Sequence, residues 1–577
     1  MLLLLPARAR GIVAGVAGAV LGLLTVIKII DMGFFNFLSR AFNPVLDWPL
    51  FVDGYRFVRD TVGMASAVGA IVGAVLLAVA VPVLMTLAVR RLARVSAAHR
   101  AASERGIAVV ATAWLATVFL GTSFVPGVYV ASDSAADLAR DNVLKVPAAI
   151  EDRRAFAAEA RDDAFRELPG DQLLTGLRGK DVVFTFIESY GRSAIEDPKL
   201  SQRVDAALAD GDRRLSAAGF SARSGFLTSP TSGGGSWLAH ATFQSGVWID
   251  NEQRYRSLVS GDRMTLTSAF GKSDAWQTVG VEPGVTFAWP EGRFYGFDRV
   301  YDSMTLGYHG PSFSWATMPD QFTLKSFADR EYTRPGRGPL MAELTFVSSH
   351  TPWAPIPALV GWDEVGDGSI YTQQQKSAQK PGEVWKDADR VRAEYAKSVK
   401  YSIDSLISWV QEYGDDNLVL VFLGDHQPAP IVVGATASHD VPISIVTRDR
   451  KVLDRVSRLG LERRDPAGTA GAGVADERLP RPVPDRVRPA AEPGPVTAAA
   501  LTARGTCAGR CPGGTPTVRW KCRAQRGGGA HAGGRGDRVD AVVGGLQQLL
   551  RVADPLGEQP PQRGGAGDRA EVAAQVA

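Results

Sequence analysis

Three long apolar runs open the chain, and short apolar segments alternating with amphipathic ones follow. Residues 11–30 are apolar except for Lys28, residues 62–89 carry no charge, and residues 106–130 form a third such run. Each covers the ~20 residues that a bilayer-spanning helix needs. The first run occupies the place of a cleaved signal peptide, but it exceeds the ~7–15 apolar residues such peptides use, which favours an anchor. The charged, alanine-rich segment that follows, "AAIEDRRAFAAEARDDAFREL", reads as a helical stalk. Beyond it, residues 182–187 form a continuous β-branched and aromatic run ending at Glu188. A second run, 418–423, ends in Gly424, Asp425 and His426, and a third, 344–347, leads to His350. "AWQTVGV" fits a fourth strand, and "DVPISIVTRD" closes the series. Between them Val399, Ile403, Leu406 and Val410 share one helical face.

Such alternation predicts an α/β fold: a mostly parallel sheet with helices on both faces, behind N-terminal transmembrane helices. Four segments result: an anchor of three spans over 1–131, a stalk over 132–179, a catalytic domain over 180–450 and a tail over 451–577. In sheets of this kind ligands collect beyond the carboxyl ends of the strands. Glu188, His350, Asp425 and His426 all stand at such ends. Singly, each is an ordinary loop residue; together they bring ligand-type groups to one edge of one sheet. Carboxylates with imidazole suit one divalent ion, Mn2+ or Zn2+.

Charge sets the orientation. Arg8 and Arg10 precede the first run, and Arg90, Arg91, Arg94, Arg100 and Arg105 separate the second from the third. The positive-inside rule puts these in the cytoplasm and everything after the third span outside, so a multi-pass plasma-membrane protein with an extracytoplasmic catalytic domain is expected. The net charge is only +3 over 577 residues, which gives no field for nucleic acid. All three cysteines, Cys507, Cys511 and Cys522, come late, so neither disulfides nor a cysteine metal site supports the main fold.

The stretch 229–246, "SPTSGGGSWLAHATFQSG", sets Ser236 between a glycine turn and a helix start. Two readings are open from local sequence. Ser236 is a helix N-cap, or it is a nucleophile beside N–H groups that bind an anion. Thr231 and Ser232 are further hydroxyl candidates.

The order strand–Glu, glycine turn with a hydroxyl, Ser-His-Thr-Pro and Gly-Asp-His resembles the alkaline phosphatase superfamily. Within it, the order resembles the membrane-anchored, sulfatase-like branch that includes lipoteichoic acid synthase and the phosphoethanolamine transferases. The resemblance covers about residues 181–449 and the preceding anchor. It implies a metal held by Glu188, Ser236, Asp425 and His426, with Ser236 as catalytic nucleophile and His350 as a second catalytic, substrate-binding group. Formylglycine sulfatases carry Cys-x-Pro-x-Arg where this chain has Ser236, Leu238 and His240, so formylglycine is not expected. A plain hydroxyl suits a phospho-enzyme instead, although a threonine fills this place in lipoteichoic-type enzymes. His240, Trp289, Arg293 and His309 are the substrate-binding candidates. The implied activity is a sulfatase-like hydrolase or phosphotransferase acting on phosphodiesters of membrane lipid head groups or cell-envelope polymers. A sulfuric ester hydrolase and a non-catalytic module that binds an envelope polymer are the alternatives.

After about residue 449 the text changes. From Leu423 onward there is no Phe or Tyr, and Trp520 is the sole Trp. Pro, Gly, Arg and Ala dominate, so the tail cannot build a core; disorder and a frame slip in a GC-rich gene both fit this composition.

Overall fold

A computed structural model describes residues 5–456, apart from 39, 120–122, 126–127, 130–133 and 435. The tail's three cysteines and its "GLQQLLRVADPL" segment lie outside the described residues.

Two described helices are long and apolar enough to cross a membrane: α1 (Ala7–Leu38) and α3 (Met64–Ala98). They pack antiparallel through small residues. A Cβ on Gly18 would meet Thr86 Cα at 2.6 Å, and one on Gly22 would meet Pro82 Cα at 2.4 Å. Only glycine permits backbones so close, as is common where helices associate in lipid. The connecting helix α2 (Pro49–Val62) lies between them. The expected third span is different. Helix α4 (Arg100–Phe119) begins with Arg100, Glu104 and Arg105, so its described apolar part is shorter than a span requires. The remainder of that run lies largely outside the described residues. The stalk is helical over α5 (Ser134–Glu159).

The seven-stranded sheet contains β1 (Asp181–Ile187), β2 (Ser221–Thr228), β3 (Gln277–Glu282), β4 (Arg299–Asp302), β5 (Leu340–Phe346), β6 (Leu418–Gly424) and β7 (Asp440–Thr447). Their order is β2-β7-β6-β1-β5-β3-β4. Pairings among β6, β1, β5, β3 and β4 are parallel, and β7 runs antiparallel to both neighbours. The sheet is therefore mostly parallel, as expected.

Strand periodicity assigns side chains to two cores. Val183 and Ile187 face the cluster completed by α6 (Ser201–Ala217) and by Val399, Ile403, Leu406 and Val410 of the long helix Ala388–Tyr413. Val182, Phe184 and Phe186 face the other way, against Phe270, Leu453 and Val456. Helices cover both faces, so β1 reads as an unbroken apolar run. In the ladders Ile187 pairs with Phe346 on one side and with Gly424 on the other. Glu188 and Asp425 thus leave neighbouring strands at the same level.

Candidate metal centre and active site

Glu188 and Asp425 follow the last residues of β1 and β6, and His426 comes next; all three are buried. Their ligand atoms lie within 4.8 Å of one another. His426 Nε2 is 3.3 Å from Glu188 Oε1 and 3.7 Å from Asp425 Oδ2. The other ring nitrogen, Nδ1, is 2.8 Å from the Gln427 carbonyl oxygen. A carbonyl only accepts, so Nδ1 carries the proton and Nε2 is the lone pair that a neutral ring offers a metal. Two carboxylates and one imidazole, oriented in this way, fit a divalent ion such as Mn2+ or Zn2+.

Ser236 joins them from a helix. The glycine turn has φ of +78°, +157° and +82° at Gly233, Gly234 and Gly235, a region that costs side-chain-bearing residues energy. Gly235 is the N-cap of α7 (Ser236–Ser245), and no side chain caps that end. Ser236 is the first helical residue, so the capping reading fails. Its hydroxyl donates to Glu188 Oε2 at 3.0 Å and lies 3.2 Å from His426 Nε2. Thr231 instead donates to the Gly234 carbonyl at 2.5 Å, and Ser232 forms a backbone bridge with Gln427.

Neighbouring groups hold the centre rigid. Ser189, at φ +56°, donates from Oγ to Glu188 Oε1 at 3.0 Å, and its N–H donates to Asp425 Oδ1 at 2.7 Å. Ser349 Oγ donates to the Glu188 carbonyl at 2.6 Å. Burial pushes the Glu188 carboxyl up, but the imidazoles of His350 and His426 outweigh it and hold it well below the usual carboxylate range. Burial and the Glu188 charge push Asp425 up to about 7. Burial alone would lower His426, but Asp425 and Glu188 raise it to about 9.

His350 stands beyond β5 in a loop fixed by Asp320. That buried carboxylate accepts from Val347 N at 2.9 Å, Ser348 N at 3.0 Å and Ser402 Oγ at 2.6 Å. The His350 ring stacks on Trp315, with centroids 3.6 Å apart, and donates from Nδ1 to the Thr351 carbonyl at 2.5 Å. Burial lowers its pKa, which favours the neutral ring; with Nδ1 donating to the Thr351 carbonyl, the lone pair of that form is on Nε2.

The remaining substrate candidates are more scattered. His240 is buried one turn after Ser236. Trp289 packs against Tyr295, while Arg293 and His309 are exposed. No described hydrogen bond, ion pair or ring contact joins Trp289, Arg293 or His309 to the centre. Sequence reasoning did not find Ser189, Trp315 or Asp320. It also did not find the anchor's approach: Gly233 lies so close to the end of α1 that a Cβ there would meet the Phe37 carbonyl oxygen at 1.9 Å. Phe57 of α2 lies 6.2 Å from the His350 ring, and Arg56 lies over Phe287 at 4.3 Å.

No family model and no curated relative matches the chain. Solved structures do. The lipoteichoic acid synthase LtaP from Listeria monocytogenes is 15% identical, with 50% of this chain and 70% of that chain covered and a TM-score of 0.36. A protein in the alkaline phosphatase superfamily from Vibrio parahaemolyticus is 17% identical, covering 52% and 68% with a TM-score of 0.33. Phosphoglycerol transferase GacH from Streptococcus pyogenes, solved with sn-glycerol-1-phosphate, is 13% identical, covering 51% and 72% with a TM-score of 0.32. The mostly parallel sheet and the buried cluster at its strand ends agree with the α/β layout that the sequence pattern predicts. The activities in those names belong to those proteins.

Proposed function

We propose that this protein is a membrane-anchored, metal-dependent hydrolase or phosphotransferase that cleaves phosphodiesters of lipid head groups or envelope polymers through Ser236. The observation that carries this reading is the Ser236 hydroxyl, 3.0 Å from Glu188 Oε2 and 3.2 Å from His426 Nε2, inside a buried three-residue ligand set. Glu188, Asp425 and His426 would hold one Mn2+ or Zn2+ with the Ser236 oxygen beside it. A bound divalent ion lowers the pKa of such a hydroxyl and polarises a phosphoryl oxygen. Glu188 orients Oγ by accepting its proton in a hydrogen bond. Oγ attacks phosphorus, the bond to the leaving alkoxide breaks, and that alkoxide takes up the proton Oγ gives up. An alcohol or water then attacks the phosphoserine, its proton passes to Nε2 of His350, the bond to the Ser236 oxygen breaks, and that oxygen takes up the proton from His350, which restores both groups. Water gives hydrolysis, and an alcohol gives transfer. Trp289, Arg293 and His309 are outer contacts for a larger substrate.

Membrane location and outward orientation are supported by the anchor. The catalytic domain meets the α1–α2 end of the hairpin, opposite the ends that bear Arg8, Arg10, Arg90, Arg91 and Arg94. With those arginines inside, the α1–α2 end and the domain that meets it are outside.

The test is metal content and turnover of the full-length protein. One tightly bound equivalent of Mn2+ or Zn2+, with phosphodiester turnover that Ser236→Ala abolishes, is expected. Absence of metal would favour a non-catalytic binding module, and turnover of sulfate esters alone would favour a sulfatase.

A further inference from the structure

Beneath the catalytic edge lies a second buried polar group that the proposed steps leave unused. His240 lies flat on the Phe186 ring, with centroids 3.8 Å apart and planes 25° apart. Its Nδ1 is 2.9 Å from Glu343 Oε1. Gln244, one turn further along α7, donates from its amide nitrogen to the other Glu343 oxygen. The Gln244 amide oxygen accepts from Thr267 N at 3.0 Å and Thr267 Oγ1 at 3.1 Å, which fixes which end faces Glu343. Glu343 sits in the middle of β5 and is 3% exposed. A carboxylate here only accepts, so His240 Nδ1 carries a proton.

The other nitrogen is the anomaly. His240 Nε2 is buried without a hydrogen-bond partner among the described residues. Such an orphan costs about 1–3 kcal/mol, and it calls for a specific reason. Three acids act on this ring through their charge: Glu343 of β5, which touches it, Glu282 at the end of β3 and Asp425 beyond the end of β6. Glu282 accepts from Thr345 Oγ1 at 2.7 Å, and burial together with the Glu343 charge pushes it up to about 8. Near pH 7 it is therefore mostly uncharged. Burial opposes a charge on His240, but the Glu343 contact raises its pKa nonetheless.

We infer that Glu343, held by Gln244, is a positioning residue that fixes His240 with Nε2 turned to an oxygen of the transferred phosphoryl group. The inference rests on the phosphoryl-transfer reading of Ser236. His240 then supplies an N–H to that oxygen, and the buried carboxylate beneath it provides orientation and counter-charge.

The experiment uses full-length protein in detergent with 15N-labelled histidine, titrated with inorganic phosphate. The His240 resonance is assigned by its loss in His240→Gln. The Nε2 signal is expected to move as phosphate is added. In Glu343→Gln, which keeps an acceptor and removes the charge, the same response should need about tenfold more phosphate. Gln244→Ala, which leaves Glu343 in place, should move it in the same direction by less. With bis(4-nitrophenyl) phosphate and Mn2+, Glu343→Gln should raise KM more than it lowers kcat and leave the metal content unchanged. A phosphate-insensitive His240 in the unaltered protein overturns the inference whatever turnover is seen. Glu343→Gln and Gln244→Ala variants with unaltered phosphate response and KM also overturn it, leaving a core ion pair. Absence of turnover in the unaltered protein counts instead against the phosphotransfer reading, because the titration reads His240 independently.

Discussion

Ser236 owes its place to the glycine before it. Because Gly235 takes the cap position at φ +82°, the serine enters the helix with its hydroxyl free for Glu188 and His426. Ser236→Ala should therefore lower phosphodiester turnover by roughly 10³-fold or more while metal content stays at one equivalent, checked by steady-state rates beside elemental analysis. A variant that loses both would make Ser236 a structural residue. The pH dependence of metal binding follows from the same cluster. Asp425 and His426, raised to about 7 and about 9 in the metal-free protein, must shed protons to coordinate. Both folded values lie above the unfolded ones, so the contribution of these two groups to metal-free stability is full at low pH and is lost as pH rises through 7 and then 9, while the lowered Glu188 carboxyl contributes in the opposite sense in acid. Metal affinity should run the opposite way and increase from pH 6 to 9, with protons released on binding. Calorimetry in buffers of different ionisation enthalpy counts them, and a pH-independent affinity would contradict this assignment. Metal at a hundredfold excess over its Kd should stabilise the fold by about 2.7 kcal/mol, read as a rise in Tm.

At the scale of elements, the strand ends deliver the chemistry, and buried loops lock them. Asp320 is the clearest lock, since its carboxylate holds the backbone that leads to His350. Asp320→Ala strands two buried N–H groups and should cost about 2–4 kcal/mol in denaturant unfolding, with a larger loss of turnover than of metal. A change below about 0.5 kcal/mol would show that water replaces the carboxylate. These relations also mark what was legible in the sequence. β1 and β6 are buried on both faces, so their apolar runs stand out and point to Glu188, Asp425 and His426. β2, "SARSGFLT", is a half-exposed edge strand and has no such run. β7 was recognisable as a strand, but its reversed direction follows from the connection and not from its composition. Glu343 sits inside an apolar strand, and nothing local links it to His240, 103 residues away. That pairing exists only once α7 lies across the sheet. The stack of Trp315 on His350 was hidden for the same reason.

At the scale of the whole molecule, the anchor lies against the catalytic edge. The end of α1 rests on Gly233, and Phe57 stands beside His350, so the proposed topology puts the first loop and the active site on one side of the membrane. In a background lacking the three native cysteines, Val45→Cys should react with an impermeant thiol reagent in intact cells, and Ala98→Cys should react only after permeabilisation. The reverse pattern would put the catalytic domain inside. Gly233→Ala should weaken turnover in the full-length protein, because a methyl there meets the Phe37 carbonyl and the backbone is left-handed. The measurement that bears most directly on the central claim is trapping of the covalent intermediate. Full-length protein in membranes is incubated with Mn2+ and a head-group-labelled phospholipid, quenched in acid and digested, and the labelled peptide is sequenced by mass spectrometry. A phosphorylated serine at Ser236, absent from Ser236→Ala, is the predicted result; label at Thr231 or Ser232, or turnover with Ser236 unmodified, would contradict the account.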